Sequence, residues 1–346
     1  MKKIIFLLIS IFILNSCKDV PVIPLNITKT LSLVKQKKVI DKGYGYSALK
    51  DSLLILIAYS DPEEKFIHIY DTSFNFKLSI GNKGKLFSEF NMPELYNNIN
   101  PPNDSFIHLF DINLLQEKKF IPQNFLTNSN TEEEIKGKYL PTKLYFTNNL
   151  NLLNDSLIVG QSIEMNKGIY FLYNKNSKEM NWVKFNHKFK YPDKKYEDYS
   201  YLNSICAHPI QKKIMVAYRY FDLIQLYDDK GKLLKELCFS KIQKPLLSSM
   251  SSCMAPEASF YNLSICGTNE YCYILRANKT GIELQHGEKG LLGQLIVVDW
   301  QGNIKNIYQC PALLYSVVID SNNTYIYATV KDYNDLEYCY IQKYKL

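Results

Sequence analysis

The sequence predicts an all-β fold, a six-bladed β-propeller, and three observations support this prediction. Apolar strands separated by polar turns recur six times at intervals of about fifty residues, a spacing typical of propeller blades. Pairs of these strands are joined by short turns that open on aspartate and contain glycine, as longer hairpins do. Helical periodicity is nearly absent, and only residues 130–138, with acidic residues suited to a first turn, are predicted as helix.

The hairpin units are the best preserved part of the repeat. The clearest ones occupy 67–71 with 76–78, 223–228 with 233–234, and 295–299 with 304; looser copies lie at 106–111, 169–174 and 338–344. In the turns 228–232 and 299–303, an aspartate comes first and a glycine follows three residues later. This spacing predicts a type I turn closed by a left-handed glycine.

Two further strands precede the hairpins. Second strands are predicted at 53–59, 157–159, 214–218, 271–275 and 325–330, and residues 103–105 start a sixth, which merges with the hairpin strand 106–111. The innermost strands precede these, and each predicted copy contains one tyrosine near its start: Tyr46, Tyr96, Tyr145, Tyr201, Tyr261 and Tyr315. The last copy has room for only three strands, whereas 27–36 is strand-like and has no blade of its own. The N-terminal strand is therefore predicted to complete the last blade, which removes two free sheet edges.

Composition limits the class of partner. The 346 residues are 46% hydrophobic and 22% charged, as in an ordinary globular protein. The net charge of +7 comes almost entirely from lysine, because Arg219 and Arg276 are the only arginines. Since arginine supplies the planar fork that recognises phosphates and base edges, nucleic acid is not predicted as a partner.

The N-terminus predicts export. Lys2 and Lys3 precede a run of eleven residues, 4–14, that is apolar except for Ser10 and is shorter than the about 20 residues that a membrane span needs. Residues 1–16 are therefore predicted as a signal peptide. Cys17 follows Ser16, an arrangement that resembles the lipobox of bacterial lipoproteins, although Asn15 is larger than usual. That resemblance implies cleavage before Cys17 and its lipidation; the alternative is a plain secretory signal followed by an ordinary cysteine.

The predicted organisation is a signal peptide (1–16), a lipidated cysteine with its tether (17–26) and a propeller (27–346). The six-fold pattern behind a lipobox resembles the TolB-like six-bladed β-propeller lipoproteins of Bacteroidota over residues 28–346. Two stretches carry the likeness: 81–90, which keeps both outer glycines and a final Glu-Phe, and 298–303 with 317–328. The inner Gly-Pro-Gly of that family is replaced here by residues 86–88. The resemblance implies the fold and an outer-membrane lipoprotein facing the periplasm or the surface, but no reaction.

The six tyrosines listed above are the candidate ligand-binding residues, at the rim of the axial channel. Propellers place function in this channel and its loops, where aromatic rings stack on a glycan or peptide. The alternative is that these tyrosines only wedge between blades.

Other chemistry is less well supported. The five histidines are scattered, and His68 and His108 are predicted in equivalent hairpin strands. Six-bladed lactonases bind calcium through Glu, Asn and Asp, and Glu164, Asn203 and Asn262 have eligible positions. The seven cysteines after Cys17 show no Cys-x-x-Cys spacing, which favours small core side chains; one disulfide within 253–272 is the alternative.

The predicted function is a non-enzymatic binding or scaffold module, anchored to the membrane by lipid, for a protein or glycan partner of the envelope. No catalytic residue, metal or cofactor is predicted. The alternative is a hydrolase with a calcium or carboxylate site in the axial channel.

Overall fold

The computed structural model describes residues 20–61, 65–95, 99, 105–127, 134–162, 167–187, 189–249, 254–286 and 291–346. The predicted signal peptide, Cys17, Tyr96, Glu164 and Cys253 lie outside these residues. Among the described residues, no helix is both long and apolar enough to cross a membrane.

The described strands form six antiparallel blades of four strands each, and one blade carries an additional parallel strand. In chain order the first eleven are β1 (Lys29–Thr30), β2 (Ser32–Ile40), β3 (Tyr44–Lys50), β4 (Leu53–Ala58), β5 (Lys65–Asp71), β6 (Phe76–Asn82), β7 (Pro93–Leu95), β8 (Ile107–Asp111), β9 (Gln116–Phe120), β10 (Lys136–Tyr139) and β11 (Thr147–Asn154). The others are β12 (Leu157–Ser162), β13 (Tyr170–Asn174), β14 (Glu179–Val183), β15 (Asn203–His208), β16 (Lys213–Tyr218), β17 (Leu223–Asp228), β18 (Leu233–Cys238), β19 (Ser259–Gly267), β20 (Tyr271–Thr280), β21 (Gln294–Asp299), β22 (Ile304–Gln309), β23 (Val317–Ile319), β24 (Tyr325–Lys331) and β25 (Tyr338–Lys345).

The blades follow one another around a closed ring. Blades 1 to 5 begin at β3, β7, β11, β15 and β19, and each runs outward from its first strand in chain order. Every innermost strand contacts its two neighbours, and β23 of blade 6 contacts β3 of blade 1. The predicted six-bladed propeller is thereby confirmed.

The N-terminal strand closes the ring, as predicted. β2 pairs antiparallel with β25, from Ser32 opposite Lys345 to Ile40 opposite Tyr338, and is the outermost strand of blade 6. The preceding chain extends over two further blades: β1 pairs in parallel with β22 of blade 5, and Val22 forms a bridge to Cys238 of blade 4. Residues 20–40, here called the N-terminal strap, thus contact three consecutive blades.

The turns between third and fourth strands have the predicted chemistry. In blade 4, Asp228 Oδ1 accepts hydrogen bonds from the backbone N–H groups of Lys230 (2.9 Å) and Lys232 (2.8 Å). Gly231 closes this turn with φ +79°, and Gly302 closes the equivalent turn of blade 5 with φ +80°. Both values lie in the left-handed region, where glycine has no Cβ to strain.

Blade 2 differs from the prediction in two ways. Of the predicted helix 130–138, residues 130–133 are not described, and Lys136–Tyr139 forms β10 instead. This outer strand pairs with β9, so tertiary pairing overrides local helix preference. The segment 106–111, predicted as a hairpin strand, contains β8, the second strand of the blade. His108 on β8 is therefore not equivalent to His68 on β5, the third strand of blade 1.

Apolar side chains fill the spaces between blades, and the cysteines belong to this core. All six described cysteines after Cys17 are buried and free: Cys206, Cys238, Cys266, Cys272, Cys310 and Cys339. Burial raises the pKa of the Cys310 and Cys339 thiols to about 12, which keeps them protonated at neutral pH. The interpretation of cysteine as a small core side chain is confirmed for these six residues.

Candidate binding site in the central channel

A cavity of about 520 Å³ lies where the six innermost strands converge. Every blade contributes to its wall: residues 44–49 from blade 1, 95 from blade 2, 148, 149 and 161 from blade 3, 202–204 and 219 from blade 4, 263–267 from blade 5, and 315–319 with 321 from blade 6. None of these described lining residues is Asp or Glu, and Arg219 is the one cationic residue among them.

Three carboxamides form a connected cluster on the wall formed by blades 3 and 4. Asn149 Nδ2 donates to Gln161 Oε1 at 3.2 Å, and Gln161 Nε2 donates to the backbone carbonyl of Asn203 at 3.0 Å and to its side-chain oxygen. Asn203 Nδ2 donates in turn to the carbonyls of Ile169 (3.1 Å) and Tyr201 (2.9 Å). Because each amide is held by another group, this wall is rigid and polar.

Arg219 lies at the junction of blades 4 and 5, directly after β16. Its backbone N–H donates to the carbonyl of Leu202 (2.8 Å), and its own carbonyl accepts from the N–H of Tyr261 (2.7 Å). The guanidinium carbon lies 5.8 Å from the centre of the Phe260 ring. These contacts fix the position from which the Arg219 side chain reaches the cavity.

Tyr46 contributes to the cavity wall from blade 1, on the side of the ring opposite blade 4. Burial raises the pKa of the Tyr46 hydroxyl, and nearby Glu94 raises it further, whereas the positive charge of Arg219 lowers it. The phenol is therefore neutral at physiological pH and can both donate and accept hydrogen bonds.

Glu94 on β7 is a buried carboxylate next to the cavity. It is only 7% exposed, and its Oε2 accepts a hydrogen bond from the backbone N–H of Asn149 at 2.9 Å. Burial raises the pKa of Glu94, while this hydrogen bond opposes the shift. Among the described residues no cation lies at hydrogen-bond distance from this carboxylate, so its burial costs free energy, and carboxylates of this kind are candidates for functional sites.

Blades 6 and 1 are joined at the cavity by two buried serines, since Ser316 Oγ donates to Ser47 Oγ at 2.8 Å. Tyr315 lines the cavity beside them; its hydroxyl hydrogen-bonds to that of Tyr333, and Lys331 Nζ lies 5.1 Å from its ring centre. Two lining residues carry buried polar atoms with no hydrogen-bond partner among the described residues, Asn148 Oδ1 and Ser264 Oγ. Both atoms can therefore form hydrogen bonds with a ligand or with water in the cavity.

The structure brings together two of the six predicted tyrosines, Tyr46 and Tyr315, in the cavity. Tyr201 is buried in an aromatic cluster with Phe185, and Tyr145 is 54% exposed outside the cavity. Tyr261 lines a separate surface cleft of about 720 Å³ formed by loops of blades 4 and 5.

The histidines do not assemble in the described structure. His68 Nε2 lies 2.7 Å from Asp61 Oδ2, and His68 Nδ1 lies 3.0 Å from the hydroxyl of Tyr44, all within blade 1. His208 Nε2 donates to the carbonyl of Asn269 at 3.0 Å. Burial lowers the pKa of both imidazoles, so both are neutral at physiological pH.

Asn203 and Asn262, the calcium candidates within the described residues, both donate their amides to backbone carbonyls. The Nδ2 of Asn262 donates to the carbonyl of Tyr218 at 2.8 Å and so links blades 5 and 4. Among the described residues, no group of three or more His, Cys, Asp and Glu side chains could hold a metal ion.

Sequence reasoning missed Arg219, Gln161, Asn149 and Glu94 as members of this site. Their positions along the chain show no motif, because the ring places distant residues side by side. Arg219 alone carried a signal, since arginine occurs only twice in the chain.

The fold is similar to two solved structures from Bacteroides. A member of the DUF4221 family from Bacteroides vulgatus ATCC 8482 matches with a TM-score of 0.57 and 12% identity, covering 91% of this chain and 97% of that one. A protein of Bacteroides fragilis NCTC 9343 that is described as exported matches with a TM-score of 0.53 and 12% identity, covering 91% and 94%. No protein-family model matches the chain, and no curated protein matches its sequence. At 12% identity this likeness shows a shared fold and does not assign an activity.

Proposed function

We propose that this protein is an exported, lipid-anchored propeller of the TolB-like kind that binds a glycan in its central channel without transforming it. The observation that carries this proposal is the cavity wall of carboxamides, hydroxyls and tyrosine rings, with no carboxylate among its described residues. Amides and hydroxyls supply the donors and acceptors that match sugar hydroxyls, and tyrosine rings supply apolar faces with a polar tip.

The same wall favours binding over cleavage. A typical glycosidase needs two carboxyl groups that flank the scissile bond. Glu94 is a described carboxylate that hydrogen-bonds to a residue of this wall. Its Oε2 accepts a hydrogen bond from the backbone N–H of Asn149. The alternative, a calcium-dependent hydrolase, would use the carboxamide oxygens of Asn149, Gln161 and Asn203, which are ligand types that calcium accepts. The oxygens of Gln161 and Asn203 already accept hydrogen bonds within the cluster, which favours the binding function.

Export and anchoring rest on the sequence and on one comparison. The lipobox-like stretch before Cys17 supports lipidation, and the similarly folded Bacteroides fragilis protein described as exported supports a location outside the cytoplasm.

Replacing Cys17 by serine should move the full-length protein from the membrane fraction to the soluble fraction. Unchanged membrane association would contradict the lipid anchor.

An oligosaccharide array, followed by calorimetry with the oligosaccharides that bind, tests the binding function. Tyr315→Ala should weaken binding at least tenfold because it removes a cavity ring, whereas Tyr145→Ala, an exposed ring outside the cavity, should leave binding unchanged. Thermal unfolding of both variants shows whether they remain folded. If Tyr315→Ala binds as tightly as the wild type, or if no oligosaccharide on the array binds, the proposal is contradicted. If calcium raises the melting temperature and activates oligosaccharide cleavage, the hydrolase is favoured.

A further inference from the structure

The central cavity has an unbalanced charge. Arg219 is the cationic residue of its described lining, which contains neither Asp nor Glu. The other arginine shows what a balanced guanidinium looks like in this fold: Arg276 Nε and Nη2 donate to the two carboxylate oxygens of Asp222 at 2.8 and 2.7 Å, and Nη1 donates to Gln294 at 2.7 Å. Among the described residues, no ion pair within 4.0 Å joins Arg219 to a carboxylate.

The charge of Arg219 acts across the cavity. It lowers the pKa of Tyr46, which lies on the opposite blade, against the stronger effect of burial. An anion that enters the cavity therefore meets a favourable potential before it makes any contact.

The two sides of the cavity also differ in sign. Glu94, with its buried carboxylate, hydrogen-bonds to Asn149 on the blade 2 and blade 3 side, whereas Arg219 lies between blades 4 and 5. A ligand with an anionic end and a hydroxylated end is therefore oriented with its anion towards Arg219. A guanidinium binds carboxylate and sulfate with two parallel hydrogen bonds, which a lysine cannot do.

From these observations, and resting on the proposed glycan-binding function, we infer that the cavity selects acidic sugars whose carboxylate or sulfate group pairs with Arg219. The carboxamide cluster and the hydroxyls of Tyr46 and Tyr315 then receive the neutral hydroxyls of the same ligand.

Calorimetry with matched pairs of ligands tests this inference. An oligogalacturonate and its methyl ester differ in the charge of the carboxylate and in the ester methyl groups, and N-acetylgalactosamine 6-sulfate with N-acetylgalactosamine provides a second pair, whose neutral member lacks the sulfate. Wild-type protein should bind the anionic member of at least one pair roughly tenfold or more tightly, the scale of one charge-assisted hydrogen-bonded contact. The pair that shows the preference identifies the anion.

Arg219→Gln should abolish that preference by weakening binding of the anionic member at least tenfold, and Arg219→Lys should restore only part of it. Lys230→Gln, on an exposed hairpin turn of the same blade, is the control and should keep the full preference. Equal binding of charged and neutral members by the wild-type protein overturns the inference but leaves glycan binding intact, and so does a preference that survives in Arg219→Gln. Absence of binding by every sugar overturns both proposals.

Discussion

The two arginines show how single residues are used in this lysine-rich chain. Arg276 is 5% exposed and forms a bidentate pair with Asp222, so its charge is neutralised by a carboxylate in the core between blades 4 and 5. Arg219 has the same chemistry at the cavity and lacks such a partner among the described residues. Both positions favour the planar, weakly hydrated guanidinium over the ammonium group of lysine.

At the same scale, the sequence predicted Tyr46 and Tyr315 because each lies at or just before an innermost strand. The carboxamide cluster was beyond its reach, since Asn149, Gln161 and Asn203 come from two blades and meet only after the ring has closed. A repeated tyrosine can be recognised from one sequence, but contact between side chains of different blades depends on strand register and blade geometry.

Replacing Glu94 by glutamine should stabilise the protein at neutral pH. Burial raises the folded-state pKa of Glu94 above the ordinary value of 4.5. Stability from this group is therefore fully present below pH 4.5 and is lost as pH rises through the folded-state pKa. Glutamine keeps an oxygen for the N–H of Asn149 and removes the buried charge, so Glu94→Gln should gain on the order of 1 kcal/mol at pH 7.

Urea unfolding at pH 7 and pH 4 measures this difference, and the gain should nearly vanish at pH 4, where the wild-type carboxyl is protonated. Glu179→Gln, on an exposed strand edge, should change stability at neither pH. An equal gain at both pH values would show that the charge of Glu94 is not responsible.

At the scale of elements, one turn is repeated with different residues. Asp71, Asn174, Asp228 and Asp299 open the turns between the third and fourth strands of blades 1, 3, 4 and 5, and each side chain accepts hydrogen bonds from the following backbone. The left-handed residue is the third after the opening residue in blades 1, 4 and 5 (Phe74, Gly231 and Gly302, with φ of 67°, 79° and 80°) and the fourth in blade 3 (Lys178, φ 56°). The sequence revealed the two glycine turns plainly, because glycine marks this conformation, whereas the other two required the structure.

A weak local signal also explains why the sequence pattern of blade 2 predicts its second strand as a third strand and its outer strand as a helix. Its innermost strand β7 has only three residues, and a long connection separates it from β8. Because the second-strand signal at 103–105 merges with the hairpin strand 106–111, the sequence pattern does not separate the second strand of this blade from the third, and the acidic residues 132–134 favour a helix. In the folded chain, residues 136–139 form a strand because they pair with the edge of β9.

Exchanging residues at the left-handed positions should shift stability in opposite directions. Gly231→Ala should lose about 1–2 kcal/mol from backbone strain alone. Its new Cβ would also lie 2.4 Å from Val183 Cγ2 of the neighbouring blade, which must move. Lys178→Gly, at an exposed turn, should relieve strain and gain about 0.5–1 kcal/mol after the entropy cost of glycine.

Denaturant unfolding of both variants checks the pair, with Lys230→Ala in the blade 4 turn as the control that touches no left-handed residue. A loss in Lys178→Gly as large as that in Gly231→Ala would contradict the strain argument and attribute both effects to the turn side chains.

At the scale of the whole molecule, polar bonds join the blades beside the apolar core. Ser316 and Ser47 join blades 6 and 1, Gln161 and Asn203 join blades 3 and 4, and Thr268 Oγ1 donates to Asn323 Oδ1 at 2.7 Å between blades 5 and 6. Ring closure is predictable from the chain because the last repeat lacks a fourth strand. The extension of the N-terminal strap over blades 4 and 5 is not, since residues 20–26 show little strand pattern and nothing in the strand-like segment 27–36 indicates that its first residues pair with blade 5.

Shortening the N-terminal strap in two steps should separate closure of the ring from reinforcement of its edge. Deleting residues 20–31 removes β1, the paired contacts between Thr28 and Ile307, and Leu31, whose side chain is only 3% exposed. Loss of a buried leucine alone costs about 2–5 kcal/mol, so this variant should unfold cooperatively at a lower temperature.

Deleting residues 20–40 also removes β2, which leaves β25 as an unpaired edge and breaks the continuity between the chain ends. Because each blade is supported by its neighbours around a closed ring, this variant should lose its cooperative thermal transition and aggregate. Val34→Ala, an exposed position on β2, is the control and should unfold like the wild type. Calorimetry distinguishes the cases: a sharp transition at the wild-type temperature after deletion of residues 20–40 would show that blade 6 is stable with three strands and that the N-terminal strap does not close the ring.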